Sequence, residues 1–159
     1  MTTLTQSQTE AQPRLKTVRA TGRWKGRFRT DQTVRDFGFT IAEPEKIGGQ
    51  NEGPTPMEYV IGALNGCLGI VVELVAKEQG VRIDDMEISS AGIVDQRGLF
   101  GTAEVSPHFQ SIEIEINLDT DANEARLAEL RDAVLKRCPV YNLVRDSGAA
   151  VTVNWTKAK

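Results

Sequence analysis

Hydrophobic and polar positions alternate along much of this chain. Ile112, Ile114, Ile116 and Leu118 are interleaved with Glu113, Glu115 and Asn117, the period of a strand with one buried face and one wet face. Near the start, Val18, Ala20, Gly22 and Trp24 share one parity, and Phe37, Phe39 and Ile41 form a second run. These predict strands over 15–24 and 28–41, with a bulge or turn near Asp36 where the phase slips. A further strand is expected over 81–95, turning at Arg97-Gly98, and a closing one over 150–155. Residues 43–56 read as a loop, punctuated by Gly48-Gly49, Gly53-Pro54 and Pro56.

The segment 57–79 has a different pattern. Val60, Ile61, Ala63, Leu64, Leu68, Ile70, Val71, Val72, Leu74 and Val75 cover nearly the whole circumference of a helix, with Pro56 leading in and Gly80 as the stop. A helix apolar all round is expected to be buried all round. One small domain has too few elements to do this, so the pattern predicts a dimer that brings two such helices together. The run 60–76 contains Asn65 and Glu73 and is expected to be a core helix, no stretch being long and apolar enough for a firm membrane span. Asp121 and Glu124 have capping-box spacing with Asp in place of Ser or Thr, and Leu127, Leu130 and Val134 follow at helical spacing. Pro139 should end or kink that helix, and a short helix over 140–146 runs to Gly148. The fold class expected is α+β, a single domain over 15–159 behind a disordered tail at 1–14.

Composition narrows the function. A chain of 159 residues suffices for one domain with a proper core. The net charge of −3 argues against a nucleic-acid partner, which calls for a basic stripe. Basic residues between Arg14 and Arg35 are mixed with Thr, Asp and Phe, the pattern of a solvated sheet face. Residues 1–13 are rich in Thr and Gln, without Lys, Arg or an apolar core, so no signal peptide is read there. Two cysteines do not make a secreted disulfide framework. A reducing, cytoplasmic setting is expected, with no membrane partner.

Candidate chemistry emerges by elimination. The one histidine, His108, sits beside Pro107 in an expected turn, with no neighbour that singles it out for a catalytic triad. The ligand spacings of a zinc site are missing. The Gly-rich loop at 48–53 has neither the Gly-Lys-Ser/Thr ending of a phosphate loop nor the dinucleotide fingerprint. Cys67 and Cys138 remain. Cys67 lies mid-helix between Gly66 and Gly69, and a glycine there costs about 1 kcal/mol relative to Ala. That cost makes sense where another backbone or a ligand comes close. The alternative is a buried cysteine acting as a small hydrophobe, with glycine for tight helix packing. Cys138-Pro139 puts the second thiol at a helix N-cap, where free N–H groups and the dipole favour a thiolate. The alternative is that Pro139 merely breaks a helix beside an incidental cysteine.

At these residues the chain resembles a known family. Gly53-Pro54-Thr55-Pro56-Met57-Glu58-Tyr59 through Ala63-Leu64-Asn65-Gly66-Cys67 resembles the first cysteine motif of the OsmC/Ohr family. Cys138-Pro139-Val140-Tyr141-Asn142 resembles its second, and the similarity spans about residues 15–156. The loop before Pro54 is more like the broad OsmC-like branch than the organic hydroperoxide resistance branch. The resemblance implies curved antiparallel sheets from two chains wrapped around central buried helices in an intertwined homodimer. It implies thiol-dependent reduction of organic hydroperoxides with no metal and no other cofactor. Cys67 would be the peroxidatic thiol and Cys138 the resolving one, with a dithiol reductant, such as a lipoylated protein, restoring both. An Arg of the N-terminal strands, held by a Glu, would stabilise the thiolate. Arg23 and Arg27 match that Arg about equally, and Glu58 is the candidate Glu. In the hydroperoxide resistance branch the Glu directly follows the Pro, ten residues before the Cys. Here Met57 takes that place, and Glu58, nine residues before Cys67, would be turned from it by about 180° on a straight helix. Two other readings stay open: an OsmC-fold homodimer with little peroxidase activity that binds a small apolar or thiol ligand, and a structural dimer with inert cysteines.

Overall fold

The computed structural model describes residues 12–158. The tail expected over 1–14 lies outside the described residues up to residue 11, and residues 12–14 are exposed and irregular. The chain divides into two compact units between Pro54 and Thr55.

The first unit is a three-stranded antiparallel sheet of β1 (Thr21–Gly26), β2 (Arg29–Val34) and β3 (Phe37–Ala42) in the order β1-β2-β3. The phase slip at Asp36 is a hairpin turn that splits the single strand expected over 28–41 into two, with Arg35 at a φ of 55°. Partners across the strands share a face: Trp24 with Thr30 and Ile41, and Gly22 with Gln32 and Phe39. One face therefore carries Trp24, Phe39 and Ile41, and the other Arg23, Asp31 and Thr40. The turn between β1 and β2 falls at the break expected between residues 24 and 28. Arg27 and Phe28 both have positive φ, 48° and 57°, as the two-residue primed hairpin turn demands, yet neither is the Gly or Asn that such turns prefer. The loop after β3 folds back through a 3-10 turn, Glu45–Ile47. A Cβ at Gly49 would lie 1.8 Å from the Glu43 carbonyl oxygen, so this glycine is required by backbone approach.

The second unit contains α1 (Pro56–Gln79), β4 (Ile83–Val94), α2 (Gln96–Phe100), β5 (Phe109–Thr120), α3 (Glu124–Arg137), α4 (Pro139–Asp146) and β6 (Ala150–Lys157). A short helix, α2, stands where only a turn was expected. The sheet order is β4-β5-β6. β4 and β5 are antiparallel, but β6 lies parallel to β5, pairing Ile112 with Val151 and Ile116 with Trp155. The expectation of antiparallel sheets thus holds for every pairing except this one. A parallel neighbour needs a long crossover, and α3 and α4 supply it.

β5 is the middle strand and follows its alternation closely. Ile112, Ile114, Ile116 and Leu118 are buried, while Glu113, Glu115 and Asn117 face outward. Leu64, Leu68, Val72 and Val75 of α1 and Leu130 and Val134 of α3 complete one core with them. The N-cap of α3 is Asn123, whose side chain accepts from the Arg126 N–H, rather than the expected Asp121.

α1 is not buried all round within this chain. Leu64, Leu68, Val71, Val72, Val75 and Ala76 are buried, but Ile70 is 69% exposed, Leu74 47% and Val60 40%. By length and composition α1 also qualifies as a membrane span, with a window of mean hydropathy 1.9, against the sequence expectation. Asn65 and Glu73 are too few interruptions to lower that average, and α1 packs with one face on β4, α3 and α4, as a core helix does.

Candidate functional site

The two cysteines meet in the second unit. α1 begins with a full capping box: the Thr55 hydroxyl accepts from the Glu58 N–H, and the Glu58 carboxylate accepts from the Thr55 N–H at 2.7 Å. Pro56 takes the first helical position, where its missing N–H costs nothing. Gly80 closes the helix at a φ of 65°. Two turns in, Ser90 donates to the Asn65 side-chain oxygen at 2.5 Å and Asn65 donates to the Ile88 carbonyl at 3.5 Å. These bonds fix the rotation of α1 on β4. Cys67 then lies half-buried, against the core.

Cys138 stands at the break between α3 and α4, as C-cap of one and N-cap of the other. Pro139 cannot extend α3, because it has no N–H and its ring collides with the carbonyl four residues back. Asn142 reorganises the break. Its side-chain amide donates to the carbonyls of Cys138 at 2.7 Å, Leu135 at 2.9 Å and Lys136 at 3.4 Å. Arg137, the last residue of α3, forms a two-pronged ion pair with Glu78 of α1, which lowers the Glu78 pKa and raises that of Arg137.

This scaffold buries Cys138 completely, at 0% exposure, with its Sγ 3.4 Å from Sγ of Cys67. Both thiols are free, and the Cys138 S–H donates toward the Cys67 sulfur. The expectation of a low Cys138 pKa is corrected: it is pushed up to about 11. Burial is the main cause. The N–H groups of Tyr141 and Val140 at the start of α4 pull it down, but negative charge on Cys67 and the bond to it push it up. The N-cap effect is present and burial outweighs it.

Among the described residues the flanking glycines serve no close contact. A Cβ at Gly62 or Gly66 would meet nothing within 4 Å, and one at Gly69 would make ordinary contact with Met86 and Ile88. Gly62, Gly66, Ile70 and Leu74 instead form an open stripe along α1.

Glu58 is committed to the capping box, and α1 is regular helix from Pro56 onward, so nothing redirects its carboxylate toward Cys67 along the helix. Arg23 lies on β1 opposite Asp31, and Arg27 occupies the strained turn. The hairpin arginine that carboxylates hold is a third one, missed in the sequence: Arg29 donates to Asp31 at 3.0 Å and pairs with Glu52. Its pKa is raised by those partners, Asp31 first. The signal was present in the spacing of Arg29 and Asp31, which puts both on one face of β2. Lys25, Arg27, Arg29, Asp31, Gln50 and Glu52 line a cavity of about 290 Å³ in the first unit. His108 is exposed, its Nδ1 2.7 Å from the Phe109 carbonyl. Among the described residues, no group of His, Cys, Asp and Glu is disposed to hold a metal ion.

Comparison with known proteins agrees with this arrangement of elements. A family model described as OsmC-like protein matches residues 49–154. No curated protein matches the chain significantly. Among solved structures, an OsmC-like protein from Mycoplasma pneumoniae superposes with a TM-score of 0.79 at 19% identity, covering 91% of this chain and 99% of that one. The organic hydroperoxide resistance protein of Elizabethkingia anophelis gives 0.71 at 16%, covering 92% and 100%. The organic hydroperoxide resistance protein OhrB of Bacillus subtilis gives 0.59 at 24%, covering 90% and 98%. At these identities the likeness is one of fold.

Proposed function

The chain belongs to the OsmC-like protein family, and on that premise we propose that it is a thiol-dependent peroxidase that reduces organic hydroperoxides through Cys67 and Cys138. The observation that carries this reading is the 3.4 Å separation of a half-buried and a fully buried thiol. A peroxide reaches only the first of these. The Cys67 thiolate attacks an oxygen of the hydroperoxide, the O–O bond breaks, the alcohol leaves after taking a proton, and Cys67 becomes a sulfenic acid. Cys138 then gives up its proton and attacks the Cys67 sulfur, water leaves, and a disulfide forms. A dithiol reductant, for which a lipoylated protein has the right chemistry, returns both thiols. The raised pKa keeps Cys138 protonated in the resting protein, which leaves Cys67 as the attacking group. Among the described residues the guanidinium groups of Arg23 and Arg27 make no side-chain hydrogen bond or ion pair, and they are the cations proposed to stabilise developing negative charge. The open stripe on α1 supports a homodimer, in which a second copy covers Gly66 and Ile70.

The test uses reduced protein, one equivalent of cumene hydroperoxide and intact-mass measurement. Wild type is expected to lose two hydrogens, Cys138→Ser to accumulate a sulfenic acid that dimedone traps, and Cys67→Ser to stay unchanged. Unchanged wild-type mass with cysteine-independent peroxide loss would sink the peroxidase and leave a binding or structural dimer.

A further inference from the structure

The break that presents Cys138 has a hydrogen-bonding problem. In a continuous helix the N–H at position 139 would donate to the Leu135 carbonyl. Pro139 has no N–H, so that carbonyl loses its partner at a half-buried position. The Cys138 N–H still reaches the Val134 carbonyl at 2.9 Å, and the Asn142 N–H reaches the Cys138 carbonyl at 3.0 Å. The carbonyl that Pro139 orphans is taken by the Asn142 side chain at 2.9 Å, and the same amide reaches Lys136 and Cys138.

We propose that Asn142 is a positioning residue for the second thiol: its amide locks the α3–α4 break, and that lock aims Cys138 Sγ at Cys67 Sγ. The inference deepens the two-thiol reading above and rests on it for its role in turnover. The geometric basis is that three backbone carbonyls, those of Leu135 and Lys136 in the last turn of α3 and that of Cys138 itself, converge on one amide group from a residue one turn further along α4. A disulfide requires the two sulfurs to close from 3.4 Å to about 2.05 Å with a restricted dihedral. A loosened backbone at Cys138 lowers the fraction of time the thiol is in line. Asn142 touches neither sulfur, so it acts through Cys138 and not on the reacting atoms.

The test needs no peroxide, so its failure is separable from failure of the peroxidase reading. Reduced full-length protein is mixed with the aromatic disulfide dithiobis-nitrobenzoate, and nitrothiobenzoate release is followed by absorbance. In the first step the Cys67 thiolate attacks the reagent, its S–S bond breaks and one nitrothiobenzoate leaves. In the second, Cys138 loses its proton to water and attacks the Cys67 sulfur. The mixed disulfide breaks, a second nitrothiobenzoate leaves, and the Cys67–Cys138 bond forms. In Asn142→Ala the first release should stay within about 2-fold of wild type and the second should slow by about 10-fold, the scale of losing these placement bonds. Asn142→Ser should fall between, because its hydroxyl reaches the carbonyl four residues back, that of Cys138, and not that of Leu135. Both variants are read on protein whose far-ultraviolet circular dichroism matches wild type. If the Ala variant does not fold, the Ser variant carries the test, with a slowed second release in support. An unchanged second release, equal slowing of both releases, or a wild type that gives no second equivalent would overturn the proposal.

Discussion

The Sγ atoms of Cys67 and Cys138 lie 3.4 Å apart across 71 residues of sequence, and only one of them reaches the surface. The pair is a buried proton donor set against a half-exposed acceptor. Its asymmetry comes from packing: α1 turns Cys67 toward the edge of the core, whereas the α3–α4 break sinks Cys138 into it.

The first prediction concerns pH. The Cys138 pKa is pushed up in the folded state, by burial first, to about 11, whereas an unfolded thiol sits near 8.5. The folded protein therefore holds this proton more tightly than the unfolded chain. The resulting stabilisation is complete below about pH 8.5 and is lost as pH rises toward 11. Its size is about 3 kcal/mol. Urea midpoints of reduced wild type should fall more steeply between these pH values than those of Cys138→Ala. Parallel curves would show that the two states hold the proton equally.

Glu58 is expected to matter for stability and not for turnover. Its carboxylate closes the α1 capping box on the Thr55 N–H. Glu58→Ala should cost about 1 kcal/mol. Glu58→Gln keeps an acceptor of the same length and should preserve both melting temperature and hydroperoxide consumption within about 2-fold. A large activity loss in the Gln variant with unchanged stability would assign the charge a catalytic task.

Gly66 tests what lies over the open stripe of α1. Among the described residues nothing stands within 4 Å of a Cβ there. For an isolated chain Gly66→Ala should therefore gain about 1 kcal/mol from helix propensity. In the proposed homodimer the same methyl group meets the second copy, and the gain should vanish or reverse. Ile70→Glu should yield monomers by light scattering. Dimers that persist in Ile70→Glu, with Gly66→Ala stabilised, would place the subunit contact elsewhere.

The β1–β2 turn stores removable strain. Arg27 sits at a φ of 48°, a conformation costing about 1–2 kcal/mol for an ordinary side chain, while Asn tolerates it. Arg27→Asn should raise the unfolding free energy by about 1 kcal/mol. If Arg27 stabilises the thiolate, hydroperoxide reduction should drop at least about 10-fold in the same variant, the equivalent of 1.4 kcal/mol of barrier. Arg23→Gln, which leaves the turn untouched, separates the two arginines.

Long, regular patterns were legible in the sequence. β5 and α1 were visible because each repeats its period over many residues, and the cysteine motifs were visible because Cys67 lies inside the long apolar run and Cys138 directly precedes a proline. Features that depend on depth or on single contacts were not. The N-cap position of Cys138 could be read from Cys138-Pro139, but the burial that reverses its pKa shift could not. The first hairpin was legible as a break between strands, but not its primed turn, because Arg27-Phe28 lacks turn chemistry. α1 is apolar around its circumference, yet only the fold shows which side β4, α3 and α4 cover. Arg29 was passed over because its significance arises from Glu52, which sequence separates from it by a strand and a loop.

The parallel placement of β6 has a consequence for biosynthesis. Both cysteines precede Ala150, and the crossover carrying Cys138, already held to α1 by the core and by the Arg137–Glu78 pair, has its far end joined to the sheet only when β6 pairs along β5, from Ser111↔Ala150 to Leu118↔Lys157. A growing chain that has emerged only as far as α4 thus owns both sulfurs without the strand that ties the crossover's far end to the sheet. The proposed pairing of the thiols would for that reason be sensitive to loss of β6, because a molecule clipped after α4 keeps both sulfurs but lacks the strand against which α4 packs.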